Sequence, residues 1–334
     1  MLQPNHPASP KAVSNALLPP ELRAEFEHLE RVLGGGAALQ GASVSHAVAR
    51  APHVTDAAGA PDAAGVGALA VVAYPLEPNA KADQGVAYRA TEQFPSASTI
   101  KVYVLQALLE MVAAGDADLD DELLVGAEDQ VSGSGVLTAL TPGRRYTLRD
   151  LATLMIVVSD NTATNVLIEF VGLDEVNASI QAHGWTGTRS AGKLQTAAVL
   201  SGAKRSSSVT TAADLADHMA RLWRGELLPP PLTEEAKAIY RKQQFSELGR
   251  SIGYDSYLAS IGEAPWRIAS KSGSITGVRN DVGVFEPLPS AGGGGEPFVV
   301  AIMTKGCIDP RFHAENLGAK VVGLAAAAVF ARLG

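Results

Sequence analysis

The hydrophobic pattern of this chain changes twice along its length, and these changes constrain the fold more than any other feature. Strand-like apolar runs occur early, in VGALAVVAYPL and GVAYRATEQF, and again late, in WRIASKSG, DVGVFEP and FVVAIMTKG. Between them, apolar residues recur at helical spacing. The predicted helices in this middle part are 98–114, 147–158, 162–171, 174–183 and 211–224. The simplest fold for this order is one sheet built from both ends of the chain, with a helical domain inserted.

This order predicts a discontinuous domain. We expect residues 19–96 and 228–334 to form an α/β sheet domain with terminal helices, and residues 97–227 to form the inserted helical domain. Residues 1–18 are expected to be a disordered leader. Residues 34–64 are rich in alanine and glycine with little periodicity, which favours a loop or an insertion.

Composition excludes several classes of protein. The 334 residues are 46% apolar, which is enough for a sizeable core. The net charge of −8 argues against a nucleic-acid or anionic-membrane partner, and no apolar run is long enough to predict a membrane span. A single cysteine, Cys307, excludes an intrachain disulfide. The N-terminal residues lack the pattern of a signal peptide, so we expect a cytoplasmic protein, or a periplasmic or secreted one if the native N-terminus was trimmed.

A Ser-x-x-Lys motif begins the longest apolar helix. Ser98 and Lys101 are three residues apart and therefore share one face of that helix. A serine at a helix N-terminus has a free backbone N–H that can stabilise an oxyanion, and a lysine of lowered pKa can accept the hydroxyl proton. The spacing alone is more typical of a capping serine and a snorkelling lysine, and it recurs twice elsewhere in loop-like sequence.

Two further polar blocks follow along the chain. Ser159, Asp160 and Asn161 separate two apolar helices, where polar side chains either cap a helix or point into a cleft. Lys271 and Ser272 lie on a predicted strand and precede a glycine, a residue that often marks close approach of a ligand or backbone. Each block alone has an ordinary structural explanation.

The order of the three motifs is more informative. Ser-x-x-Lys, then Ser-Asp-Asn, then Lys-Ser-Gly resembles class A serine β-lactamases and penicillin-binding proteins. The resemblance covers roughly residues 65–334 and includes GSGVLTAL at 133–140. It implies the α+β fold of the β-lactamase/transpeptidase type. That fold is an antiparallel sheet flanked by N- and C-terminal helices, with an inserted all-helical domain and the active site between them.

The resemblance also implies roles for individual residues. Ser98 would be the acylated nucleophile, Lys101 its general base or proton shuttle, and Ser159 the relay of a proton to the leaving nitrogen. The backbone N–H groups of Ser98 and Ser274 would form the oxyanion hole. The substrate-binding residues would be Asn161, Lys271, Ser272, Gly273, Ser274 and Arg279. No histidine pair has metal-ligand spacing and no phosphate or dinucleotide motif occurs, so we expect neither metal nor cofactor.

One family feature is missing. Class A enzymes carry a glutamate after the Ser-Asp-Asn block that positions the deacylating water. Here residues 176–213 contain neither Asp nor Glu. Gln195 could orient a water but cannot take its proton, and His183 is an alternative base, although it more often caps a helix end. Because losing a general base costs about 10²–10⁴-fold, we expect slow or unusual deacylation.

Three functions therefore stay open. The first is a β-lactam hydrolase of β-lactamase type with weak turnover. The second is a penicillin-binding D-Ala-D-Ala peptidase or an esterase on the same scaffold. The third is a covalent sensor or binding protein without turnover. In each, the partner is a small-molecule β-lactam or an acyl-peptide or ester.

Overall fold

A computed structural model describes residues 18–39, 67–77, 85–194 and 208–334. The predicted leader, apart from Leu18, and most of the predicted loop at 34–64 lie outside the described residues.

The helical and strand segments follow the predicted periodicities closely. The helices are α1 (Pro20–Leu33), α2 (Lys101–Ala114), α3 (Leu148–Val157), α4 (Asn161–Val171), α5 (Leu173–Ala182), α6 (Ala212–Trp223), α7 (Pro230–Tyr240), α8 (Ser256–Ser260) and α9 (Leu317–Leu333). The strands are β1 (Ala68–Pro75), β2 (Val86–Tyr88), β3 (Phe94–Pro95), β4 (Glu122–Val125), β5 (Arg144–Thr147), β6 (Val209–Thr210), β7 (Trp266–Ile275), β8 (Val278–Pro287) and β9 (Phe298–Lys305). Short 3₁₀ turns occur at Ala97–Ile100, Leu137–Ala139 and Pro289–Ala291.

Five strands form one antiparallel sheet in the order β2-β1-β9-β8-β7. Strands β1 and β2 come from the early part of the chain and β7 to β9 from the late part, as the two groups of strand-like runs predict. Strand β7, which carries the Lys-Ser-Gly motif, lies at an edge of this sheet.

The sheet is buried on both faces, and alternate residues of each strand enter different cores. One face packs against α1 and α9 through residues such as Phe26, Phe285 and Val322. The other face packs against the helical block, where Val284 and Met219 belong to a second core. This architecture confirms the predicted α+β fold class, whereas the exact division of the chain at 97 and 227 stays a prediction.

Helix α2 runs through the middle of the helical block. It contacts α3, α4, α5 and α7, and every residue from Lys101 to Leu109 is buried. By length and composition Ala97–Ala114 is the one stretch among the described residues that could cross a membrane, but 61% of it is buried inside the fold. A buried central helix explains the apolar composition, since a helix surrounded by others needs no polar face.

Candidate active site

The predicted nucleophile lies in a tight turn rather than in the first turn of the α-helix. Ser98 is half-buried in the 3₁₀ turn that leads into α2. The preceding Ala97 has φ of 47°, a left-handed conformation that is strained for alanine and persists only where the surroundings impose it. Ser96 supplies one such constraint, because its backbone N–H and its hydroxyl both donate to the Ser208 carbonyl, at 2.9 and 3.0 Å.

Lys101 lies fully buried one turn beyond Ser98. Its Nζ donates to the Ser159 carbonyl at 2.6 Å, to Ser159 Oγ at 3.1 Å and to Asn161 Oδ1 at 2.9 Å. Burial lowers the pKa of Lys101 well below its usual range and the charge of Lys271 adds to this, while the nearby Asp160 carboxylate opposes it. A lysine held in its neutral form can accept a proton from a neighbouring hydroxyl.

Lys271 approaches the same serine from the sheet. It is fully buried on β7, and its Nζ donates to Ser159 Oγ at 3.1 Å and to the Ser272 carbonyl at 2.6 Å. Burial lowers the pKa of Lys271 to about 7, with Asp281 opposing the shift. Ser159 Oγ therefore lies between two buried amines, an arrangement that can pass a proton from one side of the site to the other.

The Ser-Asp-Asn corner is braced by its own side chains. Asp160 caps α4 by accepting from the Ala163 N–H at 2.9 Å, and its other oxygen accepts from the N–H groups of Val136 and Leu137 at 2.6 and 2.9 Å. Ser159 adopts a left-handed backbone with φ of 55°. The capping interpretation of this motif thus holds for Asp160, while Ser159 and Asn161 face the lysine.

Strand β7 lies directly against the nucleophile turn. A Cβ built on Gly273 would lie 2.8 Å from the Thr99 nitrogen and 2.9 Å from the Ser98 nitrogen, distances that side chains do not tolerate. The close approach expected at this glycine is therefore present. It brings Ser274, the next residue of the strand, alongside the turn, as an oxyanion hole built from the Ser98 and Ser274 N–H groups requires.

Arg279 is occupied by the fold. Its guanidinium donates to the carbonyls of Ile275, Val278 and Arg311, each at 2.7 Å, and lies 4.7 Å from the centre of the Phe312 ring. These contacts tie the β7–β8 turn to the segment before α9. Its suggested help in binding a substrate carboxylate stays a prediction, and the described contacts supply a structural role for it.

Two polar residues near Ser159 and Asn161 were not predicted from the sequence motifs. Ser134 donates to the Ser159 carbonyl at 2.7 Å, the same oxygen that accepts from Lys101. Asn165 binds the backbone of Leu194 in both directions, accepting from its N–H at 2.6 Å and donating to its carbonyl at 2.8 Å. A signal for Asn165 existed, because it lies four residues after Asn161 and so on the same face of α4.

The alternative base His183 is remote from the nucleophile. Its Nε2 bonds to Glu110 Oε1, and its ring stacks on Trp185 with centroids 4.8 Å apart. Glu110 lies nine residues beyond Lys101 on α2, which is about 13 Å along a helix axis. The geometry therefore does not support His183 as a base for Ser98, and Gln195 lies outside the described residues.

Comparison with solved structures shows that the fold is that of β-lactamases and of PBP-A. A β-lactamase from Sphaerobacter thermophilus superposes with a TM-score of 0.67 at 30% identity, over 80% of this chain and 90% of the other. PBP-A superposes with a TM-score of 0.63 at 26% identity, over 80% and 91%. A PBP-A mutant solved as an acyl-enzyme complex with penicillin G gives 0.62 at 25% identity, over 80% and 91%.

Sequence comparison then places the chain in a family. Residues 62–333 match the model of the Beta-lactamase enzyme family. A β-lactamase of Rhodobacter capsulatus is 30% identical over 72% of this chain and 78% of its own length. The chain therefore belongs to the β-lactamase enzyme family, and the resemblance drawn from the three motifs is confirmed.

Proposed function

We propose that this protein is a serine hydrolase of β-lactamase type that opens β-lactam amides through an acyl-enzyme on Ser98. The observation that carries the proposal is the convergence of Lys101 and Lys271 on Ser159, since Lys101 lies one turn beyond Ser98 along the chain. Both amines are buried and have lowered pKa values, which suits proton transfer near neutral pH.

Acylation follows from these groups. Neutral Lys101 takes the Ser98 hydroxyl proton as Oγ attacks the lactam carbonyl carbon. The Ser98 and Ser274 N–H groups stabilise the oxyanion. The carbon–nitrogen bond then breaks, and Ser159 delivers its proton to the leaving nitrogen while Lys101, which holds the proton from Ser98, reprotonates Ser159. Protonated Lys271 and Ser272 hold the substrate carboxylate.

Deacylation is the slow half of the proposed reaction. It needs a base to activate water, and the segment 176–213 offers no carboxylate. Within it, Leu194 is anchored by Asn165, one helical turn along α4 from the Asn161 side chain that binds Lys101. We infer that apolar Leu194 occupies the position where a general base would act, and we expect the acyl-enzyme to persist.

The test is intact-mass spectrometry after mixing with a penicillin, together with a hydrolysis assay on a chromogenic cephalosporin. We expect a lasting adduct of one penicillin mass, mapped to Ser98 by peptide analysis, and slow hydrolysis. Ser98→Ala is the matched control and should take up no label. Rapid hydrolysis with no adduct would overturn the deacylation part of the proposal, and no reaction at all would overturn the whole.

A second candidate is a penicillin-binding peptidase or an esterase on the same scaffold. The likeness to PBP-A and the lack of a carboxylate in 176–213 favour it. Assays with a D-Ala-D-Ala peptide and with p-nitrophenyl esters separate these activities. Turnover of either substrate well above that of the cephalosporin would favour this candidate. Retained ligand binding and biological effect in Ser98→Ala would instead favour a binding or sensor protein that does not use covalent chemistry.

A further inference from the structure

Asn280 is a buried amide that no part of the proposed chemistry uses. It lies on β8 and is 1% exposed. Its Nδ2 donates to the Pro95 carbonyl at 2.9 Å and to the Ser96 carbonyl at 3.2 Å, while its Oδ1 accepts from the Thr304 N–H at 3.0 Å. All three bonds join Asn280 to main-chain groups, so its side chain links the segment before Ser98 to strand β9.

The Ser96 carbonyl is the oxygen that closes the nucleophile turn. It accepts from the Thr99 N–H at 3.1 Å and from the Thr99 hydroxyl at 2.6 Å, and Ala97 and Ser98 lie between these two residues. By donating to the same oxygen from the sheet side, Asn280 attaches the turn to β8. Ser208 holds Ser96 from the other side through its carbonyl.

Asn280 also stands opposite Gly273 in the β7–β8 ladder. Gly273 has no side chain, and the Ser98 and Thr99 nitrogens occupy the space that a Cβ would need. The pair therefore combines two complementary features. The glycine lets the turn approach the sheet, and the amide across the ladder donates to the carbonyls that precede Ser98.

We infer that Asn280 is a positioning residue that seats the nucleophile turn on the sheet and so aims the Ser98 N–H and hydroxyl at the substrate carbonyl. This inference rests on the proposed function, because it assigns Asn280 to the same acylation step. The left-handed Ala97 backbone gives the physical reason. A strained turn relaxes when a bond that imposes it is removed, and a donor displaced by even a fraction of an ångström stabilises the oxyanion less.

Two substitutions test the assignment. Asn280→Ala removes all three bonds. Asn280→Asp keeps the shape and the acceptor for the Thr304 N–H but places an oxygen against the Pro95 and Ser96 carbonyls. Complete loss of an oxyanion donor costs about 10²–10³-fold in rate. We therefore expect the acylation rate of both variants to be at least roughly tenfold lower than that of the wild-type protein.

The measurements separate positioning from mere stability. The rate of labelling by a fluorescent penicillin reports acylation, and the affinity for a phenylboronic acid reports the tetrahedral adduct. Both should fall, whereas the non-covalent dissociation constant of the penicillin, from the saturation of the labelling rate, should stay within about twofold. Thr233→Val is the matched control, because it loses a buried hydroxyl bonded to the Leu228 carbonyl and should lower only the melting temperature.

The outcomes are distinguishable. The inference alone would be overturned if the wild-type protein reacts with the penicillin and folded Asn280→Ala keeps the wild-type labelling rate and boronate affinity. A parallel loss in folded Thr233→Val would also overturn it, because the effect would then follow stability. Wild-type protein unreactive toward the penicillin would overturn the proposed function, and this inference with it.

Discussion

Ser159 is the residue on which the buried polar groups of the candidate site converge. Its hydroxyl accepts from two buried lysines at 3.1 Å each, and its carbonyl accepts from Lys101 and Ser134. The two lysines differ in their other hydrogen bonds, since Lys271 donates to the Ser272 carbonyl on its own strand. Lys101 has three bonds to the Ser159–Asn161 corner, and none of these three reaches Ser98. Three donated bonds need the ammonium form, because a neutral amine has only two N–H groups. In the proposed reaction, Lys101 therefore loses a proton and gives up one of these bonds before its lone pair can accept the Ser98 hydroxyl proton.

The pKa of Lys271 leads to a pH prediction at this scale. Because burial lowers it to about 7, Lys271 in the free protein loses its positive charge as the pH rises above about 7. The apparent affinity for an anionic penicillin should therefore weaken above pH 7, by up to about tenfold per pH unit. The saturation of labelling measured from pH 6 to pH 9 gives this affinity.

A neutral p-nitrophenyl ester is the internal control for the same protein. Its apparent affinity should not change with pH in that range, because it has no carboxylate for Lys271 to bind. Equal pH dependence for the anionic and the neutral substrate would contradict the assignment of Lys271 to carboxylate binding.

Helix α4 connects the Ser-Asp-Asn corner to the segment around Leu194. Asn161 and Asn165 lie one turn apart on the same face. Asn161 binds Lys101, and Asn165 binds both backbone polar groups of Leu194. One face of one helix thus links Leu194 to the lysine, so we expect the residue type at 194 to affect the fate of the proposed acyl-enzyme.

Leu194→Glu tests this element directly. A carboxylate at the anchored position can act as a general base for water, and a well-placed general base contributes about 10²–10⁴-fold. We expect the penicillin adduct to decay at least roughly tenfold faster than in the wild-type protein. Time-resolved intact-mass spectrometry measures the decay.

Leu194→Gln is the matched control, because glutamine has nearly the same shape as glutamate but cannot take a proton. This variant should keep the adduct long-lived. Adding Asn165→Ala to Leu194→Glu should reduce the gain, since the anchor is then lost. An adduct equally persistent in Leu194→Glu and Leu194→Gln would show that position 194 does not reach the acyl group.

At the scale of the whole molecule, the site lies beside edge strand β7 of the sheet, and the two faces of this sheet are covered by two separate cores. Burial in these cores also enforces unusual protonation states. His218 on α6 is 1% exposed, with its ring edge-to-face against Tyr103 and Trp185 at 5.4 and 5.2 Å between centroids. Neither ring nitrogen has a hydrogen-bond partner among the described residues. Burial lowers the pKa of His218 to about 3 and raises that of Asp281 to about 7.

These two shifts act on stability in opposite directions. An unfolded histidine has a pKa of about 6.5, so the unfolded state binds more protons and His218 reduces stability as the pH falls from about 6.5 toward 3. An unfolded aspartate has a pKa of about 3.9, so the folded state takes up the proton first and Asp281 adds stability as the pH falls below about 7. Between pH 4.5 and 6.5 the two contributions largely offset each other.

His218→Phe isolates the histidine contribution, because phenylalanine keeps an aromatic ring against Tyr103 and Trp185 but does not titrate. Relative to wild type, the variant should gain about 1.4 kcal/mol of unfolding free energy per pH unit below about pH 6. Urea unfolding at pH 7.0, 5.5 and 4.5 measures the difference. The exposed His313→Ala is the control, and a difference for His218→Phe that does not vary with pH would contradict the prediction.

The fold class and the positions of the main helices and strands were predictable because they depend on local signals, and signals of the same kind predict the roles of Ser98, Lys101 and Ser159. Periodicity of 3.6 or 2 residues identifies the elements, and three short motifs in order indicate the family. The start of α2 was less well predicted. Ser98 lies in a 3₁₀ turn, because the close approach of β7 at Gly273 and the hydrogen bonds to Ser96 shape this segment from outside the helix.

The sequence by itself therefore determined the architecture and predicted which side chains carry the chemistry, since both depend on near neighbours along the chain. Only the tertiary structure decided how those groups are engaged. Lys101 points to Ser159 across a separation of 58 residues, Asn165 anchors Leu194 across 29, and Asn280 reaches Ser96 across 184. Hydrogen bonds between residues so far apart depend on the packing of whole elements, and no local pattern specifies them.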